Sequence, residues 1–177
     1  MLFRSPNFSE EVLHQVLRDF DIPAEFNLTA LSMGQKKKVF MAFALATCTK
    51  YLLMDEPTNG LDIPSKMQFR RTLASQMNEN RTIIVSTHQV HDVEQLIDHV
   101  VLIEGTHLLV DNSTTELSKL LRFEQRPYGA SLDDALYVEP SLSGSAVITP
   151  TKGLEETPIN LELLFNAIVQ YPDLLHQ

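Results

Sequence analysis

The apolar run Tyr51-Leu52-Leu53-Met54 leads straight into two adjacent carboxylates, Asp55 and Glu56, and then Pro57. A strand ending this way presents acid at its C-terminal end, where ligands bind in open α/β sheets. Mg2+ takes oxygen ligands and keeps several waters, so one Asp suffices to hold it beside a phosphate. A neighbouring Glu can orient or deprotonate an attacking water. About twenty residues earlier, Leu31-Ser32-Met33-Gly34-Gln35 opens a helical pattern. A helix start with a Ser hydroxyl and free N–H groups suits an anion. Lys36, Lys37 and Lys38 follow and would add attraction there. About thirty residues after the carboxylates comes Ser86-Thr87-His88, whose imidazole can donate to a phosphate oxygen. Thr58-Asn59-Gly60-Leu61-Asp62 is a turn directly after the carboxylates. Each piece alone also fits an ordinary element: an acidic turn, a capped helix, a structural histidine, a glycine turn.

The elements that must position these residues are legible from periodicity and caps. Ser9 to Phe20 reads as a short amphipathic helix, with Val12, Leu13, Val16, Leu17 and Phe20 at helical spacing. Asp21-Ile22-Pro23 breaks it. Ser32 and Gln35 have capping-box spacing at the start of a second helix. Tyr51–Met54 and the run inside Arg81–Ser86 are expected as two buried parallel strands. Between them Asp62-Ile63-Pro64 starts a helix that should reach about Asn78. Gln89–Ile97 is expected to be helical, with Val90, Val93, Leu96 and Ile97 on one side. Glu104-Gly105-Thr106 joins two strands, His99–Ile103 and His107–Val110, in a hairpin. Ser113–Leu121 is a short capped helix. After Arg122 prolines and glycines are frequent, so loop, short strands or linker are expected. Leu161–Val169 closes the chain as an amphipathic helix. The fold class is α/β with part of a parallel sheet.

Composition narrows the classes further. The 177 residues carry 14 Lys and Arg against 23 Asp and Glu, a net charge of −9. With 44% apolar residues the chain can bury a core, unlike a disordered acidic tail. Bulk charge does not favour nucleic acid. The single cysteine, Cys48, excludes a disulfide framework and a cysteine-based metal cluster, and fits a reducing compartment. The longest apolar-rich run, Val39–Cys48, is about half the ~20 residues a bilayer-spanning helix needs.

Order and spacing together say more than any single motif. Leu-Ser-x-Gly-Gln, then Leu-Leu-Met-Asp-Glu-Pro-Thr, then Gly-Leu-Asp, then Ser-Thr-His resembles the ATP-binding cassette (ABC) ATPase family, in detail over residues 25 to 112. The resemblance implies a partial P-loop NTPase fold: the end of a helical subdomain with the signature motif (1–48), the back half of a RecA-like core (49–121) and a C-terminal extension (122–177). It implies that Asp55 is the Walker B aspartate holding Mg2+. Glu56 would be the catalytic glutamate and His88 the switch histidine. Asp62 would be the D-loop aspartate at a dimer seam. Ser32, Met33, Gly34 and Gln35 would form the signature loop, which reaches the ATP of a partner subunit. The function so implied is that of the nucleotide-binding ATPase subunit of an ABC transporter. It would use ATP and Mg2+ to drive a separate membrane permease, paired with a second nucleotide-binding domain, at the cytoplasmic face of the plasma membrane. The short subunits of export systems look closest. ABC ATPases acting on ribosomes or DNA are an alternative, against which His88 and the acidic charge count. A non-enzymatic fragment acting only through its signature loop is another.

Two departures stand out. Met33 occupies a position where the family usually has glycine. And none of the six glycines, at 34, 60, 105, 129, 144 and 153, is followed by lysine, so the P-loop pattern is not in this sequence. The family's Q-loop glutamine is likewise missing. The resemblance therefore implies a C-terminal part of an ABC ATPase that in isolation neither binds Mg-ATP well nor hydrolyses it.

Overall fold

A computed structural model describes residues 6–153 and 155–176. Ser9 caps the first helix, α1 (Glu10–Asp19), its Oγ accepting the Val12 N–H at 3.2 Å. Glu10 and Glu11 in the first turn and Arg18 in the last complement the helix dipole. The expected apolar face is real: Val16, Leu17 and Phe20 are buried. The second helix, α2 (Met33–Ala46), starts with the expected capping box. Ser32 Oγ accepts the Gln35 N–H at 3.2 Å, and Gln35 Oε1 accepts the Ser32 N–H at 2.9 Å. The Ser9 N–H donates to the Ala46 carbonyl at 2.9 Å, tying the start of α1 to the end of α2. Val39, Ala42, Leu45 and Ala46 are buried there.

Strands β1 (Tyr51–Asp55) and β2 (Thr82–Ser86) pair in parallel, from Tyr51 opposite Thr82 to Asp55 opposite Ser86. Their crossover is α3 (Ile63–Ser75), capped by Asp62 with Pro64 in its first turn. Phe69 and Leu73 bury its inner face. The expectation that β1 and β2 are buried on both faces is corrected. Leu52 and Met54 are buried, but Leu53 is 72% and Ile84 51% exposed. Burial alternates along both strands, so one face of the ribbon is more covered than the other.

The chain packs as two units, Met1–Asp92 and Val93–Gln177. The expected helix over 89–97 does not form. Val90–Asp92 makes one 3-10 turn, with the Asp92 N–H on the Gln89 carbonyl at 3.0 Å, and the Leu96 N–H bonds the Val93 carbonyl at 2.8 Å. Both bonds span three residues, the tighter turn geometry. β-Branched Val90 and Val93 disfavour a longer helix.

In the second unit the hairpin forms as expected, with β3 (His99–Glu104) and β4 (His107–Ser113) antiparallel. Gly105 supplies the positive φ, +58°, of its tight turn. A capping box between Ser113 and Glu116 starts α4 (Thr114–Leu120). Of the options open after Arg122, the structure takes strands. β5 (Leu121–Arg126), β6 (Tyr137–Ser141) and β7 (Gly144–Pro150) form an antiparallel sheet in the order β5-β7-β6. Pro140 lies in β6, an edge strand, where a missing donor is tolerated. Helix α5 (Leu161–Gln170), capped by Asn160, buries Leu161, Leu164 and Ile168, and Val147 and Ile148 of β7 are fully buried. Among the described residues no helix is long and apolar enough to cross a membrane.

Candidate functional site

The parallel register of β1 and β2 brings their C-terminal ends together. Asp55 and Ser86 are paired residues, and Ser86 Oγ donates to Asp55 Oδ1. The Glu56 N–H extends the ladder by one bond, to the Ser86 carbonyl at 2.9 Å. Glu56 itself turns into the left-handed region, φ +44°. A non-glycine residue there is strained and is held by its surroundings.

Those surroundings are the residues after β2. The His88 N–H donates to Glu56 Oε1 at 2.9 Å, and His88 Nδ1 lies 2.6 Å from the same oxygen. Thr87 Oγ1 donates to Glu56 Oε2 at 3.2 Å and accepts the Gln89 N–H at 2.9 Å. Burial pushes the Glu56 carboxyl up. The hydrogen bonds and charge of His88, with Thr87, outweigh it and hold the carboxyl below its ordinary 4.5. Glu56 is therefore anionic at neutral pH. The His88 ring is mostly exposed, so its other nitrogen faces solvent.

The segment behind His88 is anchored to α3. Lys66 Nζ donates to Gln89 Oε1 at 2.7 Å and pairs with Asp92 at 2.8 Å. Burial raises the Asp92 carboxyl, and the Lys66 and Arg70 charges help bring it below its ordinary value. Neither Lys66 nor Asp92 stands out in the sequence.

Asp55, Glu56 and His88 thus meet at one edge of the ribbon. The signature-type residues occupy a second place. Ser32 Oγ accepts the cap bond and keeps its own O–H to donate. Met33 is 80% exposed. An open groove of about 450 Å³ is lined by Met33, Gly34, Lys36, Lys37, Phe40, Asn59 and Gly60. Asp62 Oδ1 accepts the Ser65 N–H at 2.9 Å, and hydrogen bonding from the Ser65 side chain and backbone lowers its carboxyl. Among the described residues no hydrogen bond joins Ser32, Met33, Gly34, Gln35 or Asp62 to the Asp55–His88 cluster.

The lysine run behaves differently from expectation. Lys37 Nζ donates to the Glu56 carbonyl at 2.7 Å and the Asn59 carbonyl at 2.8 Å. Lys38 Nζ donates to Gln68 Oε1 at 2.7 Å. Two of the three ammonium groups are therefore spent on the protein itself. The reading of the whole run as attraction for a bound phosphate is corrected. The sequence offered no signal for this, since three consecutive lysines look alike before the helix has a neighbour.

The donor set at Asp55 is hard oxygen: its carboxylate and the Ser86 hydroxyl. That suits Mg2+, which binds through one or two carboxylates and keeps waters. Among the described residues no group of three or more acidic, His or Cys side chains converges as a full protein cage.

The chain is similar to several known proteins. A family model described as "AAA domain, putative AbiEii toxin, Type IV TA system" matches residues 2–91. The chelated iron transport system membrane protein YfeB of Yersinia pestis is 45% identical over 78 residues, 44% of this chain and 26% of that protein. The energy-coupling factor transporter ATP-binding protein EcfA2 of Ligilactobacillus salivarius is 40% identical over 88 residues, 49% of this chain and 30% of that protein. The chain therefore spans less than a third of the length of these two curated relatives. The solved ATP-binding subunit of an ABC transporter superposes with a TM-score of 0.53 at 22% identity, covering 62% of this chain and 48% of that one.

Proposed function

Because the chain belongs to the AAA-domain ATPases, and among them to the ATP-binding cassette family, we propose that it is the motif-bearing C-terminal part of a transporter's nucleotide-binding subunit. The observation that carries this is the Glu56–His88–Thr87 cluster beside Asp55, set at the C-terminal edge of a parallel ribbon. The order of motifs and the names of the relatives support the transport role. On this reading residues 1–48 end the helical subdomain, 49–121 form the back half of the ATPase core and 122–177 are an extension. The partners are a second nucleotide-binding domain and a membrane permease, and the place of work is the inner face of the plasma membrane.

The chemistry follows from the side chains. Glu56, anionic and held from two sides, accepts a proton from a water poised at the γ-phosphate. His88 gives Nδ1 to Glu56 and offers Nε2 to a phosphate oxygen when the ring carries both protons. Ser32 and the Gly34 N–H donate to the nucleotide of the partner subunit. Asp55 would hold Mg2+, which when bound neutralises phosphate charge. All of this is positioning and electrostatics, the usual means of phosphoryl transfer. The P-loop cradle is not in this sequence, so the chain by itself is inactive.

Calorimetry and a chimera test this reading. The chain alone should show no tight Mg-ATP binding; tight binding would overturn its incompleteness. Placed behind the P-loop-bearing half of a relative, it should hydrolyse ATP. Glu56→Gln should lower that rate by about 10²–10⁴ with ATP binding retained. A folded, ATP-bound chimera whose rate ignores Glu56→Gln would remove the catalytic role.

A further inference from the structure

We propose that Lys37 is a positioning residue for Glu56. Its ammonium bridges the carbonyls of Glu56 and Asn59, at 2.7 and 2.8 Å. Among the described residues it has no carboxylate partner, so its charge goes to these two carbonyls. Charge-assisted bonds of this length are the strong kind. They close the turn at the residue whose backbone is left-handed, φ +44°. That turn decides where the Glu56 carboxylate points, and hence whether it meets the His88 N–H and Thr87 Oγ1.

The bridge also joins two places that, among the described residues, share no other hydrogen bond. Lys37 lies three residues after Gly34 on α2, on the same helical face. Both line the groove with Asn59 and Gly60. A shift of the first turn of α2 therefore reaches the Glu56 backbone through one side chain. Lys36 and Lys38, its neighbours in the run, make no such contact; Lys38 faces Gln68 instead. The word positioning rests on the reading of Glu56 as the catalytic carboxylate. The mechanical claim does not.

Amide hydrogen exchange on the full chain, without nucleotide, tests the mechanical claim. In Lys37→Met the amides of His88 and Asn59 should exchange at least about tenfold faster. The amides of Leu45 in α2 and Leu52 in β1 should keep their protection. Lys37→Arg should restore at least half of the loss, because it keeps the charge. Lys37→Gln provides a second neutral variant. Unchanged His88 protection in folded Lys37→Met or Lys37→Gln overturns the proposal. So does a uniform loss across the unit in both, which marks a general structural role. In the hydrolysing chimera Lys37→Met should lower kcat more than tenfold and change the KM for ATP less than twofold. If Glu56→Gln leaves hydrolysis intact while the exchange effect stands, the catalytic reading fails and the mechanical link survives.

Discussion

His88 takes hold of Glu56 through two different atoms, its backbone N–H at 2.9 Å and its ring Nδ1 at 2.6 Å, both on the same carboxylate oxygen. The backbone bond fixes where Oε1 lies whatever the state of the ring. The ring contact adds charge. The two residues are 32 apart in the chain, and only the parallel register of β1 and β2 brings them together.

This relationship makes stability depend on pH. The Glu56 carboxyl is depressed in the folded chain, so its contribution is full above the ordinary 4.5 and is lost as pH falls through the lowered value. The pair is partly exposed, so the effect should stay below about 1 kcal/mol. Urea unfolding of wild type and Glu56→Gln from pH 7 to pH 2 should show a gap that closes in the acid range. A gap that widens on acidification would contradict the assignment.

A second acid-sensitive contact lies in the other unit. Arg126 grips Asp134 with both ends of its guanidinium, Nη1 to Oδ1 at 2.6 Å and Nη2 to Oδ2 at 2.9 Å. The hydrogen bond to Arg126 pulls Asp134 from 3.8 down to about 2. Its contribution is present above 3.8 and disappears as pH falls through about 2. Asp134→Asn should be less stable than wild type at pH 7 and converge with it near pH 2. NMR melting of β5 and β7 resonances reads this directly.

Gly144 begins β7 with φ +137°, and a Cβ there would stand 2.0 Å from the Arg126 carbonyl oxygen. That oxygen is backbone, so it cannot swing away. Gly144→Ala should cost about 2–4 kcal/mol and loosen the β5–β7 pairing. Gly105→Ala, in the open hairpin turn, should cost only about 1 kcal/mol. Equal costs in denaturant titrations would refute the contact argument.

In the first unit Ser32→Ala should cost about 1 kcal/mol, the worth of an N-cap, and fray the first turn of α2. Phe69→Ala should cost about 3–5 kcal/mol, because Phe69 is fully buried. Equilibrium unfolding separates the two, and hydrogen exchange should show the largest Ser32→Ala effect in the first turn of α2.

What the sequence determined by itself was local. Ser32 with Gln35, Asp62 with Pro64, Ser113 with Glu116, and Gly105 in its turn are contacts over a few residues, and their geometry follows from the chain's own stereochemistry. The α/β class and the motif order came from periodicity and spacing, which also need no partner. The tertiary structure decided the rest. The destination of Lys37, the grip of Thr87 on Glu56, the anchoring of Asp92 by Lys66 and the Arg126–Asp134 fork all join residues that approach only after packing. The helix expected over 89–97 gave way to turns, and prolines near 140 and 150 hid a sheet. Pairing β5 with β7 joins Phe123 to Ile148 with β6 lying between them in the chain, and such non-local bonds leave no short-range pattern to read. Short-range geometry is written in neighbouring residues, whereas a long side chain such as Lys37 finds its acceptors only where the fold places them.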